Sequence, residues 1–295
     1  MLMLRAMTWI SLHLGRRVGR GVLHGIAAYF LLFAPASRAA SRDYLARVLN
    51  RPARWNDIYQ HFFSFAATIH DRIYLLNQRF DLFQIDVHGE QQMLDAMIDG
   101  QGVFLIGAHM GSFEVIRALG RRHTGLKIAM AMYEENARKI NQMLSAINPA
   151  AQQDIIGLGH VDSMLKVNAC LNAGTLVGML ADRTFNNDAM HPVELLGSPA
   201  KMPLGPFRMA AILRRPVIFM VGLYLGGNRY EIHFEKLADF SQIPKGQRQA
   251  EMQRAMIRYA ALLEKYCRRA PYNWFNFFNF WATAKAGTET DGSED

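Results

Sequence analysis

The sequence predicts an α/β fold, a mixed, mainly parallel sheet flanked by helices, with an N-terminal helical membrane-anchor-like extension. Two observations predict the sheet. From Phe83 onward, short apolar runs of strand length alternate with stretches of helical spacing. Late in the chain, "PVIFMVGLYLGG" is followed directly by "RYEIHFEKL", two consecutive strands joined near Gly226, Gly227 and Asn228 as a hairpin. A third observation predicts the extension: residues 1–60 hold nine arginines against Asp43 and Asp57, a net +7 out of the chain's +8, around the apolar run "GVLHGIAAYFLLFAP".

Taken in order, that apolar run, Gly21 to Pro35, makes a helix of roughly 22 Å, short of the ~30 Å hydrocarbon core. Extending it back to Trp9 reaches spanning length only by including Arg16, Arg17 and Arg20. A membrane anchor, lying on or spanning the bilayer, competes here with a buried helix and with a signal peptide cleaved near "APA" at 34–36. "DIYQHFFSFAATIHDRIYLL" (57–76) has the broad apolar face of an amphipathic helix. "FQIDVHG" alternates as a strand, "EQQMLDAMIDG" is a helix closed by Gly100, and "GVFLIGAH" is a buried strand. A helix over 113–119, a strand near 126–132, a helix near 135–147 and a short strand at "DIIGLG" follow. "SMLKVNACLNAG" is a helix, "TLVGMLA" a strand and "LGPFRMAAILRR" a helix, ahead of the hairpin and a last helix over 247–267. The antiparallel strand is expected at the sheet edge.

Three segments result: 1–56, basic, apolar and membrane-associating; 57–285, the folded domain; and 286–295, "GTETDGSED" at its end, polar, acidic and expected to be disordered. At 51% hydrophobic residues the chain can fill a core. Cys170 and Cys267 lack metal-site spacing and suit a reducing compartment. Arginines flanking an apolar stretch fit anionic lipid headgroups better than nucleic acid. There is no G-x-S-x-G, H-E-x-x-H, Walker A or paired C-x-x-C, which counts against serine hydrolase, zinc peptidase, NTPase and zinc-ribbon readings; "GLGH" at 157–160 is no full nucleotide fingerprint. Neither a metal nor a cofactor is implied.

Within "LIGAHMGSFE", His109 and Glu114 stand five positions apart. On a helix that spacing turns about 500°, and on a strand it puts the side chains on opposite faces. A strand-to-helix turn removes the conflict: Gly111 permits the bend, Ser112 suits the helix cap, and the turn lies at a strand's carboxyl end, where α/β sheets gather ligands. A neutral imidazole there takes the proton of a hydroxyl attacking a carbonyl, while a carboxylate holds the ring's other N–H. A turn histidine and a carboxylate complementing a helix dipole fit the same letters. Asp182 and Arg183 follow the strand "TLVGMLA", either as a surface ion pair or as an anchor for an anionic group. In "LGSPAKMPLGPFR", Pro199, Pro203 and Pro206 stiffen a loop around Gly205, with Lys201 and Arg208 beside a helix start suited to phosphate or carboxylate. Tyr133 and Arg138 are weaker candidates of that kind. The aromatic "PYNWFNFFNFW" is either core packing, the wall of an acyl channel or a contact with the bilayer.

"GAHMGSFE" resembles the H-x4-D/E signature of the lysophospholipid acyltransferase superfamily, in its H-x4-E form. With "GMLADRTF" (178–185), "VELLGSPAKMPLGPFRMA" (193–210), the basic N-terminal helix and the closing aromatic run, the chain is most similar to the bacterial branch of lipid A lauroyl/myristoyl acyltransferases. The resemblance covers most of the chain in the expected order. It implies transfer of a fatty acyl chain from an acyl carrier protein or coenzyme A thioester, as co-substrate, to a lipid hydroxyl, with His109 as general base and Glu114 as its partner. It implies substrate contacts in the 193–210 block, at Lys201, Pro203, Gly205, Pro206 and Arg208, with Asp182 and Arg183 nearby. Backbone N–H groups near Gly111, or a cation from a later loop, would stabilise the oxyanion. The expected partners are the carrier protein, a membrane lipid acceptor and the anionic surface of the bacterial inner membrane on its cytoplasmic face, and no nucleic acid. A non-catalytic lipid-binding module of the same fold and a thioesterase-like hydrolase are the alternatives.

Overall fold

The computed structural model describes residues 2–97, 100–118, 125–147, 155–160, 162–183 and 189–281. The acidic tail and the last two residues of "GMLADRTF" lie outside them. Three helices come first: α1 (Leu2–Phe33), α2 (Pro35–Leu49) and α3 (Trp55–Leu76). α1 is kinked at Gly15, whose φ of 84° is outside the helical range. Pro35 opens α2, since a missing N–H costs nothing in a first turn. Asp57 closes α3's first turn back onto the Arg54 N–H.

A seven-stranded sheet follows, in the order β1-β9-β8-β2-β5-β3-β4. β8 (Pro216–Tyr224), β2 (Phe104–Gly107), β5 (Leu176–Leu180), β3 (Ile128–Tyr133) and β4 (Ile155–Leu158) are mutually parallel. β9 (Arg229–Asp239) reverses against β8 through the glycine turn, and β1 (Gln84–His88) lies parallel to β9. The predicted mixed, mainly parallel sheet is present, but its antiparallel step is internal, because β1 covers the outer side of β9. All nine residues of β8 are buried, which suits its apolar run to an inner strand with both faces covered.

The remaining α-helices among the described residues are α4 (Glu90–Asp95), α5 (Glu134–Ile147), α6 (Ser163–Asn172), α7 (Gly205–Leu213) and α8 (Arg248–Arg269). A hairpin of β6 (Met190–Leu195) and β7 (Ser198–Pro203) stands apart from the main sheet. Where a proline-stiffened loop is expected, Pro199 and Pro203 lie on β7; they are tolerated there because, among the described residues, the two-stranded ribbon has no third strand. Within the expected helix over 113–119, Glu114–Ala118 forms a 3-10 helix, and Leu119 lies outside the described residues. Strand alternation divides the core. Phe104 and Ile106 face one apolar layer, with Phe207, Tyr259 and Trp274, while Leu105 faces the other, with Val115, Ile218 and Tyr230. α3 contributes to both layers, through Ile58 and Phe62 at its start and Ala67 and Tyr74 further on.

Much of the N-terminal charge is used inside the molecule. Arg16 grips Asp71 bidentately at 2.8 and 2.9 Å, and the Tyr230 hydroxyl donates to the same carboxylate at 2.8 Å. Arg20 donates to the Gly227 carbonyl and to Tyr224, so α1 is tied to the tip of the β8–β9 hairpin. Arg51 pairs with buried Asp57, and Arg47 contacts Asp43, Ser198 and the Trp281 ring.

Candidate active site

β2 and β5 are parallel neighbours whose last registered pair is Gly107 with Leu180. Two residues further along each strand stand His109 and Asp182, so the register itself delivers them side by side. The Ala181 N–H donates to the Gly107 carbonyl at 3.0 Å and holds the strands together up to that point. His109 Nδ1 lies 2.8 Å from Asp182 Oδ1. The His109 backbone N–H (3.1 Å) and the Trp274 indole N–H (2.9 Å) both donate to Oδ2. A carboxylate only accepts, so Nδ1 carries a proton, and in the neutral ring the lone pair is on Nε2. Burial alone would push the Asp182 carboxyl up; His109, the charge of Arg183 and the Trp274 N–H together hold it at about 2.

The turn after β2 is fixed by the C-terminal aromatic segment. His109 O accepts from the Phe275 N–H at 2.8 Å, and the Gly111 N–H donates to Asn273 O at 2.9 Å. The Ser112 N–H donates to Gly222 O at 2.7 Å. Asn273 in turn clasps both the N–H and the carbonyl of Tyr224. Gly111 has φ +60°, and a Cβ there would run into the Gly222 carbonyl oxygen. Below this, His61 of α3 donates from Nε2 to the Trp274 carbonyl (2.8 Å) and accepts at Nδ1 from Ser41 of α2 (2.8 Å). Burial pushes its imidazole down to about 4. A chain of contacts therefore runs Ser41, His61, Trp274, Asp182, His109. Trp274 is fully buried and Trp281 nearly so, which makes the aromatic run core at these positions; Phe278 stays exposed, under the Arg183 guanidinium.

His109 lines a cavity of about 590 Å³, within the size range of small-molecule sites. Met130, Met132, Met164, Met179 and Met209 give it a deformable apolar wall, and Arg72, Arg183 and Tyr133 add polar groups. Of the residues singled out in the sequence, His109, Tyr133, Arg183, Pro203, Gly205 and Pro206 line this cavity together. Asp182 stands behind His109, and Gly111 shapes the turn. Lys201 lies on β7 and Arg208 on the exposed side of α7, and neither lines the cavity; nor does Arg138 on α5. Burial lowers Arg183 from its ordinary value despite the adjoining Asp182 carboxylate.

Glu114 is buried as well, but it does not meet His109: the hydrogen bonds of His109 go to Asp182, Phe275 and none to Glu114. Glu114 instead faces Arg72 of α3, with Oε1 3.6 Å from Nε. The bend expected at Gly111 is present, and it turns Glu114 toward Arg72 of α3 rather than toward the ring. The true ring partner, Asp182, was visible only as a carboxylate at a second strand end. Arg72 and Trp274 carried no signal beyond helical periodicity and aromatic content.

A family model described as bacterial lipid A biosynthesis acyltransferase matches residues 2–283, and the chain belongs to that family. No individually curated protein matches it.

Proposed function

We propose that this member of the bacterial lipid A biosynthesis acyltransferases moves a fatty acyl chain from an acyl carrier protein or coenzyme A thioester to a hydroxyl of a lipid A-type acceptor. His109 is the general base. Its Nε2 takes the proton of the acceptor hydroxyl as that oxygen bonds to the thioester carbonyl carbon. The C–S bond then breaks, and the imidazolium returns the proton to the departing sulfur. Asp182 fixes the ring's tautomer and stabilises the imidazolium, the role the sequence reading gave to Glu114. The methionine-lined cavity receives the acyl chain, with Arg183, Pro203, Gly205 and Pro206 on its wall. The observation that carries this reading is a histidine on the wall of an apolar cavity, oriented through Nδ1 by a buried carboxylate.

Membrane contact is part of the same proposal. Among the described residues no single helix is long and apolar enough to cross a bilayer; a pair bent by 95°, Ser11–Phe33 with Pro35–Leu49, passes only when taken together. One side of α1 is buried against α3 through Leu23 and Ala27. Around the bend Tyr29, Phe30, Leu32, Phe33 and Trp55 are exposed, with Arg38 and Arg42 stacked over Trp55. An apolar patch rimmed by arginine suits the headgroup region of an anionic leaflet.

Purified protein with lauroyl carrier protein and a lipid A precursor tests the chemistry. His109→Ala is expected to lower transfer by at least about 10²-fold with the fold retained. Near-normal turnover by a folded His109→Ala variant would sink the mechanism. Free fatty acid released equally with and without acceptor would mark a hydrolase instead.

A further inference from the structure

Arg72 presents a chemical imbalance. It lies on α3, its side chain is about one-fifth exposed (19%), and it lines the same cavity as His109. Its Nε is buried and has no hydrogen-bond partner. Among the described residues its one ion pair is with Glu114, at 3.6 Å, beyond hydrogen-bond range. An arginine kept only to tie α3 to the 3-10 helix would close a charge-assisted bond at about 2.7–2.9 Å, as Arg16 does with Asp71 in the preceding turn position. A guanidinium donates and accepts nothing, and a buried Nε–H with no partner among the described residues is costly. The arrangement makes sense if an acceptor arrives from the cavity.

We propose that Arg72 is an anion-contact residue: its guanidinium receives a substrate oxyanion at the cavity wall, and Glu114 is the positioning residue that holds it there. The oxyanion is either the oxygen of the attacked thioester carbonyl or a phosphate of the acceptor. Both have the same chemistry, a negatively charged oxygen attached to a molecule whose chain occupies the methionine-lined space. In turnover this rests on the acyl-transfer reading above; in binding it does not.

The test separates the two. Dodecyl phosphate, with dodecanol as the uncharged control, is titrated calorimetrically against the full chain. The wild type is expected to prefer dodecyl phosphate by about tenfold or more, the worth of a charge-assisted hydrogen bond. Arg72→Met is expected to lose that preference while still binding dodecanol. Because Arg72→Met removes the cation that faces the buried Glu114 carboxylate, the paired variant Arg72→Met/Glu114→Gln is titrated too, with the same loss expected. Arg72→Lys keeps the charge and is expected to retain part of the preference. An unchanged preference in both methionine variants overturns the proposal.

Turnover then assigns the source. A lower kcat for Arg72→Met with every acceptor marks the thioester oxygen, and a raised KM confined to phosphorylated acceptors marks the acceptor phosphate. Glu114→Gln is expected to lower kcat about tenfold while binding dodecyl phosphate as well as the wild type or better, since a neutral amide no longer competes for the cation. Glu114→Asp is expected to recover part of kcat. A parallel loss of binding and thermal stability in Glu114→Gln, without a specific fall in kcat, overturns its positioning role. If the wild type transfers no acyl group yet Arg72→Met loses the phosphate preference, the function falls and the contact stands. If the wild type transfers and the methionine variants bind and turn over as it does, the contact falls and the function stands.

Discussion

Two carboxylates stand behind the cavity wall, Asp182 against His109 and Glu114 against Arg72, and the two pairings differ. Asp182 is gripped by three donors at 2.8 to 3.1 Å, on a strand end whose register leaves it no freedom. Glu114 sits on a single 3-10 turn and meets its arginine at 3.6 Å. The first pair is finished before any substrate arrives, as a general base requires, because an imidazole that must reorient cannot take a proton on time. In the second pair the Arg72 guanidinium closes no hydrogen bond to Glu114 at that distance, which leaves it able to take a third party. A sequence motif that couples His109 to Glu114 by spacing therefore joins two groups that serve different partners.

The comparison breaks most visibly at Asp182. Asp182→Asn keeps the shape and removes the charge, and it is expected to lower kcat by on the order of 10²–10⁴-fold, far more than Glu114→Gln. Equal effects in the two variants would mean that the pairs are not functionally distinct.

Acid probes what fastens the tight pair from below. His61 titrates near 4 when folded and near 6.5 when unfolded, so below neutrality the unfolded chain binds the extra proton and stability falls between those values, by about 3 kcal/mol in all. Asp182, held at about 2 against an ordinary 3.8, contributes stability that is complete above about 4 and is lost as pH falls toward 2. Urea unfolding at pH 7, 5.5 and 4.5 is expected to show the first loss, and His61→Gln to flatten its slope by about one proton. A flat stability over that interval in the wild type would remove His61 from the account.

Gly111 tests the turn that separates the pairs. Gly111→Ala places a Cβ against the Gly222 carbonyl oxygen at φ +60°, with an expected cost of at least about 2 kcal/mol and a fall in turnover. A Tm within experimental scatter of the wild type would show that the 111/222 contact opens easily. The smallest change is Trp274→Phe, which keeps most of the ring but removes the indole N–H from Asp182 Oδ2. About tenfold in kcat is expected, the worth of one hydrogen bond to a charged group. No change would leave the His109 ring contact and the His109 N–H as sufficient anchors.

Element type was legible almost throughout. Periodicity located α3, β2, β5, β8, β9 and α8 within a few residues, because each buries a face or a whole strand and its apolar spacing must match its geometry. It failed where burial depends on neighbours. Among the described residues β6 and β7 pair only with each other, and Pro199 and Pro203 make β7 look like a stiffened loop. The sheet edge was misplaced because nothing in "FQIDVHG" says that it will lie outside β9. In the site, His109, Arg183, Pro203, Gly205 and Pro206 were found as separate turn and strand-end residues, and they do share one cavity. Lys201 and Arg208 were grouped with them by proximity in the chain, and the β7–α7 geometry points them elsewhere.

By itself the sequence determined the alternation of strands and helices, the bend at Gly111 and the placing of His109 and Asp182 at strand ends, since these depend on spacing and on the backbone freedom of one glycine. Which strand lies beside which was decided only by the tertiary structure. Strand order is a competition among long-range pairings, separated here by 73 residues between His109 and Asp182, and no local propensity registers its outcome. That pairing gave His109 its carboxylate and left Glu114 to an arginine on α3.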